Sequence, residues 1–244
     1  MGYKKPTPTE HPLVTTGSLS KLYKNLIQCN KCPRIVDFRT KIAKEKRKQF
    51  LDWTYWGKPI PGFGDLDGKL LILGLAPAAH GGNRTGRVFT GDKSADFLVK
   101  CLYQAGITNQ PTSEALTDGL EMKDAFMTPI LKCVPPFDKP TANELKQCSV
   151  FFEEEMSVLK NLKIILALGK IGFDGYLKYI RRSYNIKMKD YAFGHNKNYT
   201  LPNGKTLWAS YHPSPRNVNT GRINEAMMVE LLNNVNKKLR DEKN

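Results

Sequence analysis

No stretch of this 244-residue chain approaches the run of about 18 apolar residues that spans a bilayer. Its opening, MGYKKPTPTEHPLV, lacks the apolar core of a secretory leader, and proline at position 6 breaks the myristoylation pattern. A helix lying on a membrane would want a Trp- or Phe-rich face, and the basic stretches supply none. Internal repeats and long low-complexity tracts are missing too. These absences predict a soluble, cytoplasmic protein with no membrane partner. In that compartment its five cysteines are reduced or bound to metal. Acidic side chains are also scarce, 23 Asp and Glu against 38 Lys and Arg, a formal charge of +15. Such a field draws polyanions. A Lys-rich, heat-adapted surface would bring matching glutamates, and this chain does not have them.

What is present is a pattern of four apolar runs, Lys69–Leu75, Ala125–Leu131, Ile164–Leu168 and Leu207–Tyr211, each followed by turn chemistry. Helical periodicity separates them over about 94–105, 143–160 and 223–239. Thr141 and Glu144 have the spacing of a capping box that starts the second of these helices. A short helix is expected over 18–26, and the basic run 41–48 reads as a solvated helix face. Strands alternating with helices argue for a parallel sheet covered on both faces, with ligands beyond the carboxyl ends of its strands. One domain over 1–244 is expected, with residues 1–16 as a loose, proline-bearing arm.

Two loops at strand ends hold the chemistry. The first, GLAPAAHGGNRTGRVFTGD (74–92), mixes glycines with two arginines, a histidine, a phenylalanine and a closing aspartate. It matches neither the Walker pattern nor G-x-G-x-x-G, which weakens a nucleotide-binding enzyme. The second, HPSPRNVNTGR (212–222), follows the last apolar run and is placed to face the same crevice. Cys29-x-x-Cys32 and the distant pair Cys133 and Cys148 make a four-thiolate set that suits zinc or a [4Fe–4S] cluster. The wide second spacing, with Pro135 and Pro136 after Cys133, favours the cluster. Cys101, on a predicted helix, reads as a small buried residue.

Taken in order, Cys29-x-x-Cys32, PGFGD (61–65), the 74–92 loop, KCVPPFDKPT (132–141), Cys148 and the 212–222 loop resemble the uracil-DNA glycosylase superfamily, specifically its thermophile-associated family 5. The resemblance implies a three-layer α/β/α fold around a four-stranded, mainly parallel sheet, and a structural [4Fe–4S] cluster on the four cysteines named above. It implies a monofunctional enzyme that turns uracil and other deaminated bases, such as hypoxanthine, out of DNA and hydrolyses the N-glycosidic bond. A non-catalytic iron–sulfur protein that binds nucleic acid is the alternative, sharing the charge and the cysteines but needing neither Phe89 nor Asp92. The expected partner is DNA, with a sliding clamp as a further candidate, and the expected assembly is a monomer.

Under this reading Phe89 offers a face on which the extruded base stacks. Gly81 and Gly82, with Gly86, let backbone crowd base and sugar, and His80 lines the pocket. His212 hydrogen-bonds a uracil carbonyl and stabilises the departing anion. Arg84 and Arg87 meet phosphates or pair with Asp92. Ser214 sits on the DNA backbone, and Arg216 stands where relatives carry an apolar wedge. Relatives also carry Asp or Asn in the first loop, where this chain has Ala76 and Ala78. The water therefore falls to Asp92, whose other reading is the N-cap of the helix that follows. Asp138 is a second acidic candidate in the pocket and Asp65 a third.

Overall fold

The computed structural model describes residues 18–241; the proposed arm at 1–16 lies outside them. Four strands read as continuous apolar runs because both of their faces are covered. These are β2 (Leu70–Gly74), β3 (Ala125–Pro129), β4 (Ile164–Leu168) and β6 (Thr206–Ser210), buried at every position. They pair in parallel, as the alternation of strands and helices predicts, and their spatial order is β3-β2-β4-β6.

The sheet nevertheless has six strands rather than four. The short β1 (Phe63–Gly64) adds antiparallel to β3 at one edge, and β5 (Asn198–Thr200) adds antiparallel to β6 at the other. Two or three half-exposed residues carry no readable alternation, so neither edge strand announces itself in the sequence.

Side chains alternate across the pleat, and each face has its own core. Leu71, Leu73, Phe126, Ile165, Ala167 and Leu207 point to one side. There they meet helices α1 (Ser20–Ile27), α5 (Ala142–Val158) and α6 (Lys170–Ile180) through Leu26, Phe152, Phe173 and Tyr176. Leu70, Ile72, Met127, Ile164, Leu166 and Trp208 point to the other side. Helices α4 (Lys93–Gln104) and α8 (Glu225–Asp241) cover it with Leu98, Leu102, Leu231, Leu232 and Val235. The three-layer α/β/α architecture follows. Cys101 is fully buried on α4, as expected of a small apolar filler.

Helix α2 (Pro33–Glu45) begins directly at Cys32, with proline at its first position. The basic run 41–48 therefore straddles its end and a following 3-10 turn, Lys48–Phe50, instead of forming one helix face. The Thr141–Glu144 capping box forms as read. Glu144 N donates to the Thr141 hydroxyl at 3.2 Å, and Thr141 N donates to the Glu144 carboxylate at 2.7 Å. Among the described residues no helix is long and apolar enough to cross a membrane.

Candidate active site at the carboxyl edge of the sheet

The 74–92 loop leaves β2, climbs through the short helix α3 (Gly82–Thr85) and returns to the first turn of α4. Phe89 has a left-handed backbone, φ 47°, a conformation that bulky L residues rarely adopt. The bend lays its ring on Gly74, where a β-carbon would come within 2.8 Å of the ring edge. Only glycine at the end of β2 lets that half-buried aromatic face sit over the strand.

Asp92 takes the capping role read for it and also lies against a glycine of its own loop. Its Oδ1 accepts from Ser94 N at 2.9 Å and Ala95 N at 3.1 Å, capping α4. Its Oδ2 lies against Gly81, where a β-carbon would be 1.9 Å away. Burial pushes the Asp92 carboxyl above the usual aspartate range, against the pull of the two cap N–H groups and Arg84.

His212 follows β6 and packs beside Gly169, the residue that links β4 to α6; a β-carbon on Gly169 would lie 3.3 Å from the His212 Cβ. Its carbonyl accepts from Asn217 Nδ2 and Ser214 N, both at 2.8 Å, which fixes the turn that carries it. Burial lowers the His212 pKa, with Asp138 pulling the other way, so the imidazole is neutral at physiological pH. The first turn of α6 touches the end of β2, because a β-carbon on Gly172 would lie 3.3 Å from the Leu73 carbonyl. Phe89 over β2 and His212 beside the β4 end therefore both stand at the carboxyl edge of the sheet. Two strand spacings, about 10 Å, separate β2 from β6.

Other expected residues find different work. Arg84 is 3% exposed. Its Nε donates to the His80 carbonyl at 2.7 Å and its Nη2 to the Gly91 carbonyl at 2.6 Å. The guanidinium lies over the rings of Phe50 and Trp53 at 3.8 and 4.0 Å. Arg87 is 1% exposed and bonds Asp118 at 2.7 Å, Ser113 at 3.0 Å and Thr90 at 2.9 Å. Neither arginine is placed to meet a phosphate. Both staple the loop from inside, because partners from the 50–53 and 113–118 segments close over them.

The glycines show the same substitution of internal for external contact. A β-carbon on Gly82 would strike Pro77 at 2.9 Å, and Gly86 packs on Trp56. The space these glycines free is taken by the protein itself rather than left for a base. His80 lines the loop with its Nδ1 at 3.0 Å from the Tyr55 hydroxyl, and burial, then Arg47 and Arg84, lower its pKa.

On the second loop, Ser214 Oγ accepts from Asn217 N at 3.3 Å, capping α7 (Pro215–Asn219). Arg216 is exposed on α7, and Arg222 stacks over Tyr211 at 4.5 Å. Asp138 is exposed in a turn near enough to His212 to act on its charge.

Cys29, Cys32, Cys133 and Cys148 line one pocket with Leu26, Ile35, Leu131 and Phe151. Arg39, which the sequence reading missed, is buried there. It donates to Cys133 Sγ at 3.1 Å, to the Cys29 carbonyl at 3.1 Å and to Asn30 Oδ1 at 2.9 Å. Burial pushes the Cys133 thiol up to about 11 and the Cys148 thiol to about 12. Thiolates in this apolar setting call for a strongly cationic neighbour. Among the described residues no three His, Cys, Asp or Glu side chains close on a single metal-ion position. The four cysteines nevertheless border that one pocket, and thiolates are a donor set suited to a metal centre.

A three-layer α/β/α sheet thus carries an aromatic ring, a histidine and a carboxylate in the loops at its carboxyl edge, where such sheets bind their ligands. The family model of the uracil DNA glycosylase superfamily matches residues 61–236. A type-5 uracil-DNA glycosylase of Pyrobaculum aerophilum is 41% identical over 207 residues, 85% of this chain and 87% of that protein. One from Thermus thermophilus is 40% identical over 207 residues, 85% of this chain and 92% of that protein. A type-4 uracil-DNA glycosylase of P. aerophilum shares 26% over 165 residues, 67% of each chain. The chain belongs to the uracil DNA glycosylase superfamily, in its type-5 family.

Proposed function

We propose that the protein removes uracil from DNA by hydrolysing the N-glycosidic bond, leaving an abasic site. The observation that supports this reading is that Phe89, on Gly74, and His212, beside Gly169, stand at the same carboxyl edge of the sheet. A base inside a duplex is out of reach, so the nucleotide must first be extruded, at a cost of a few kcal/mol. Stacking on Phe89 offsets part of that cost, by about 1–3 kcal/mol. As the bond lengthens, positive charge develops on the sugar and negative charge on the departing base. The neutral His212 imidazole donates a hydrogen bond to the uracil carbonyl where that anion forms. Asp92 Oδ2 orients the water that closes the reaction on the oxocarbenium-like sugar. Gly81 and Gly82 shape the loop that brings Asp92 there, and Asp138 and His80 border the pocket. Ser214 and Arg216 face the DNA backbone.

Release of free uracil from oligonucleotides, single-stranded and duplex, tests this reading directly. His212→Ala should slow excision by roughly 100-fold or more, the scale of a lost anion-stabilising donor, while DNA binding persists. Equal loss of binding and excision would make His212 a structural residue. Ala76 and Ala78 offer no polar side chain with which to reject a related base, so hypoxanthine should be released as well. Strict preference for uracil would count against that open pocket.

We further infer that Cys29, Cys32, Cys133 and Cys148 hold a [4Fe–4S] cluster, which when bound pins the surrounding segments together. Arg39 supports it by donating to Cys133 Sγ and by accepting, through its own carbonyl, from Asn83 Nδ2 of the catalytic loop at 3.3 Å. Purified protein should be brown, with iron and sulfide in stoichiometric amounts. Colourless protein that binds zinc would overturn the assignment.

A further inference from the structure

Phe137 is 87% exposed, more than any other large hydrophobic side chain among the described residues. Single exposed apolar residues are ordinary. The backbone beneath this one is not, because Phe137 and Asp138 lie consecutively in the left-handed region, at φ 57° and 55°. The turn that carries them is braced on both sides. Pro135 and Pro136 lead in, and their carbonyls accept from Asp138 N at 3.3 Å and Lys139 N at 3.1 Å. Arg34 Nη2 holds the Lys139 carbonyl at 3.1 Å while its guanidinium forks onto Glu144 at 2.6 and 2.8 Å. A strained turn fixed in this way displays an aromatic ring to solvent rather than letting it fold back.

The turn stands on the rim of the sheet's carboxyl edge, near His212. It leaves the end of β3, where Ile130 N bonds the Gly74 carbonyl and Leu131 N the Leu75 carbonyl at the root of the catalytic loop. Asp138, next in sequence, lies within electrostatic reach of His212. On the opposite rim, α7 presents the cationic Arg216, not an apolar side chain. Proteins that open a base stack insert an apolar side chain between base steps, phenylalanine among them. Phe137 is the exposed aromatic ring that the described residues hold at this rim.

We propose that Phe137 enters the duplex beside the extruded nucleotide and stacks on a base the nucleotide leaves behind. The inference rests on the uracil-excision reading above. Single-turnover excision is measured for the wild type, Phe137→Ala and Phe137→Trp, on uracil in single-stranded and in duplex oligonucleotides. A 2-aminopurine next to the uracil reports unstacking on binding. Wild-type protein should act on both substrates. Phe137→Ala should slow duplex excision by about 10- to 100-fold, the scale of one lost base–aromatic stack, and leave single-stranded excision unchanged. The 2-aminopurine rise should fall with it, and Phe137→Trp should restore both. Full duplex activity in Phe137→Ala, or equal loss on both substrates, would overturn the role of Phe137 and leave the excision reading intact. Wild-type protein inactive on both substrates would instead remove the reading on which it rests.

Discussion

Asp92→Asn should cost excision roughly 100-fold or more while leaving thermal stability close to wild type. The two effects separate because asparagine caps a helix about as well as aspartate, so the bonds from Ser94 N and Ala95 N survive. What disappears is the negative charge on the oxygen beside Gly81. Asp92→Ala should lose both, with about 1 kcal/mol of stability going with the cap. Gly81→Ala adds a test from the other side. Its new β-carbon would claim the position of Asp92 Oδ2, so the carboxylate must move and excision should fall with Asp92 still present.

The pH profile supplies the same test without altering the chain. In the proposed reaction the ionised carboxylate orients the water, and burial raises the pKa of that group in the folded protein. Activity should therefore decline as pH falls, beginning above the range of an ordinary aspartate. In Asp92→Asn that acid limb should be gone. Wild-type excision by Asp92→Asn would reduce Asp92 to the cap of α4 and pass the water to another group.

Asp92 also shows how far the sequence could be read. Its capping role was visible in advance, since a carboxylate two residues before a helical stripe reads as an N-cap. The four central strands were equally plain, because parallel strands buried on two faces are apolar at consecutive positions. The arginines were not legible in this way. A loop arginine near a basic surface suggests phosphate. Yet Arg84 is claimed by Phe50 and Trp53, and Arg87 by Asp118, partners distant in sequence and brought close only by the fold. Glycine misled for a related reason. It signals that something approaches the backbone closely, but not whether that something is a ligand, Asp92, Pro77 or Trp56. Arg39 sits on a helix face that looks solvated by composition, and nothing in its neighbours marks it as the one that turns inward to Cys133.

Lys132 and Glu155 carry the largest expected effect on stability. Both side chains are fully buried, with Lys132 Nζ 2.6 Å from Glu155 Oε2 and also donating to the Thr128 hydroxyl. Glu155 Oε1 accepts from the Tyr23 hydroxyl at 3.0 Å and from Gly62 N at 3.3 Å. One ion pair thus joins β3, α5, α1 and the segment leading to β1. The Lys132 backbone adds bonds to Ile60 N and Cys148 Sγ. Lys132→Met leaves a carboxylate without its cation in the interior, which should cost about 3–5 kcal/mol. At about 2–4 °C per kcal/mol for a chain of this size, the melting temperature should drop by roughly 6–20 °C. Glu155→Gln retains hydrogen-bonding capacity but strands the ammonium, and should fall in the same range. The double variant Lys132→Met/Glu155→Gln should be less damaged than the sum of the two, because neither charge is then left alone. It should not return to wild type, since the Thr128 and Tyr23 hydroxyls still need partners that the altered pair no longer supplies in full. A double-mutant cycle read by thermal unfolding checks this. Strict additivity, or a Lys132→Met protein as stable as wild type, would mean that the two charges do not depend on each other.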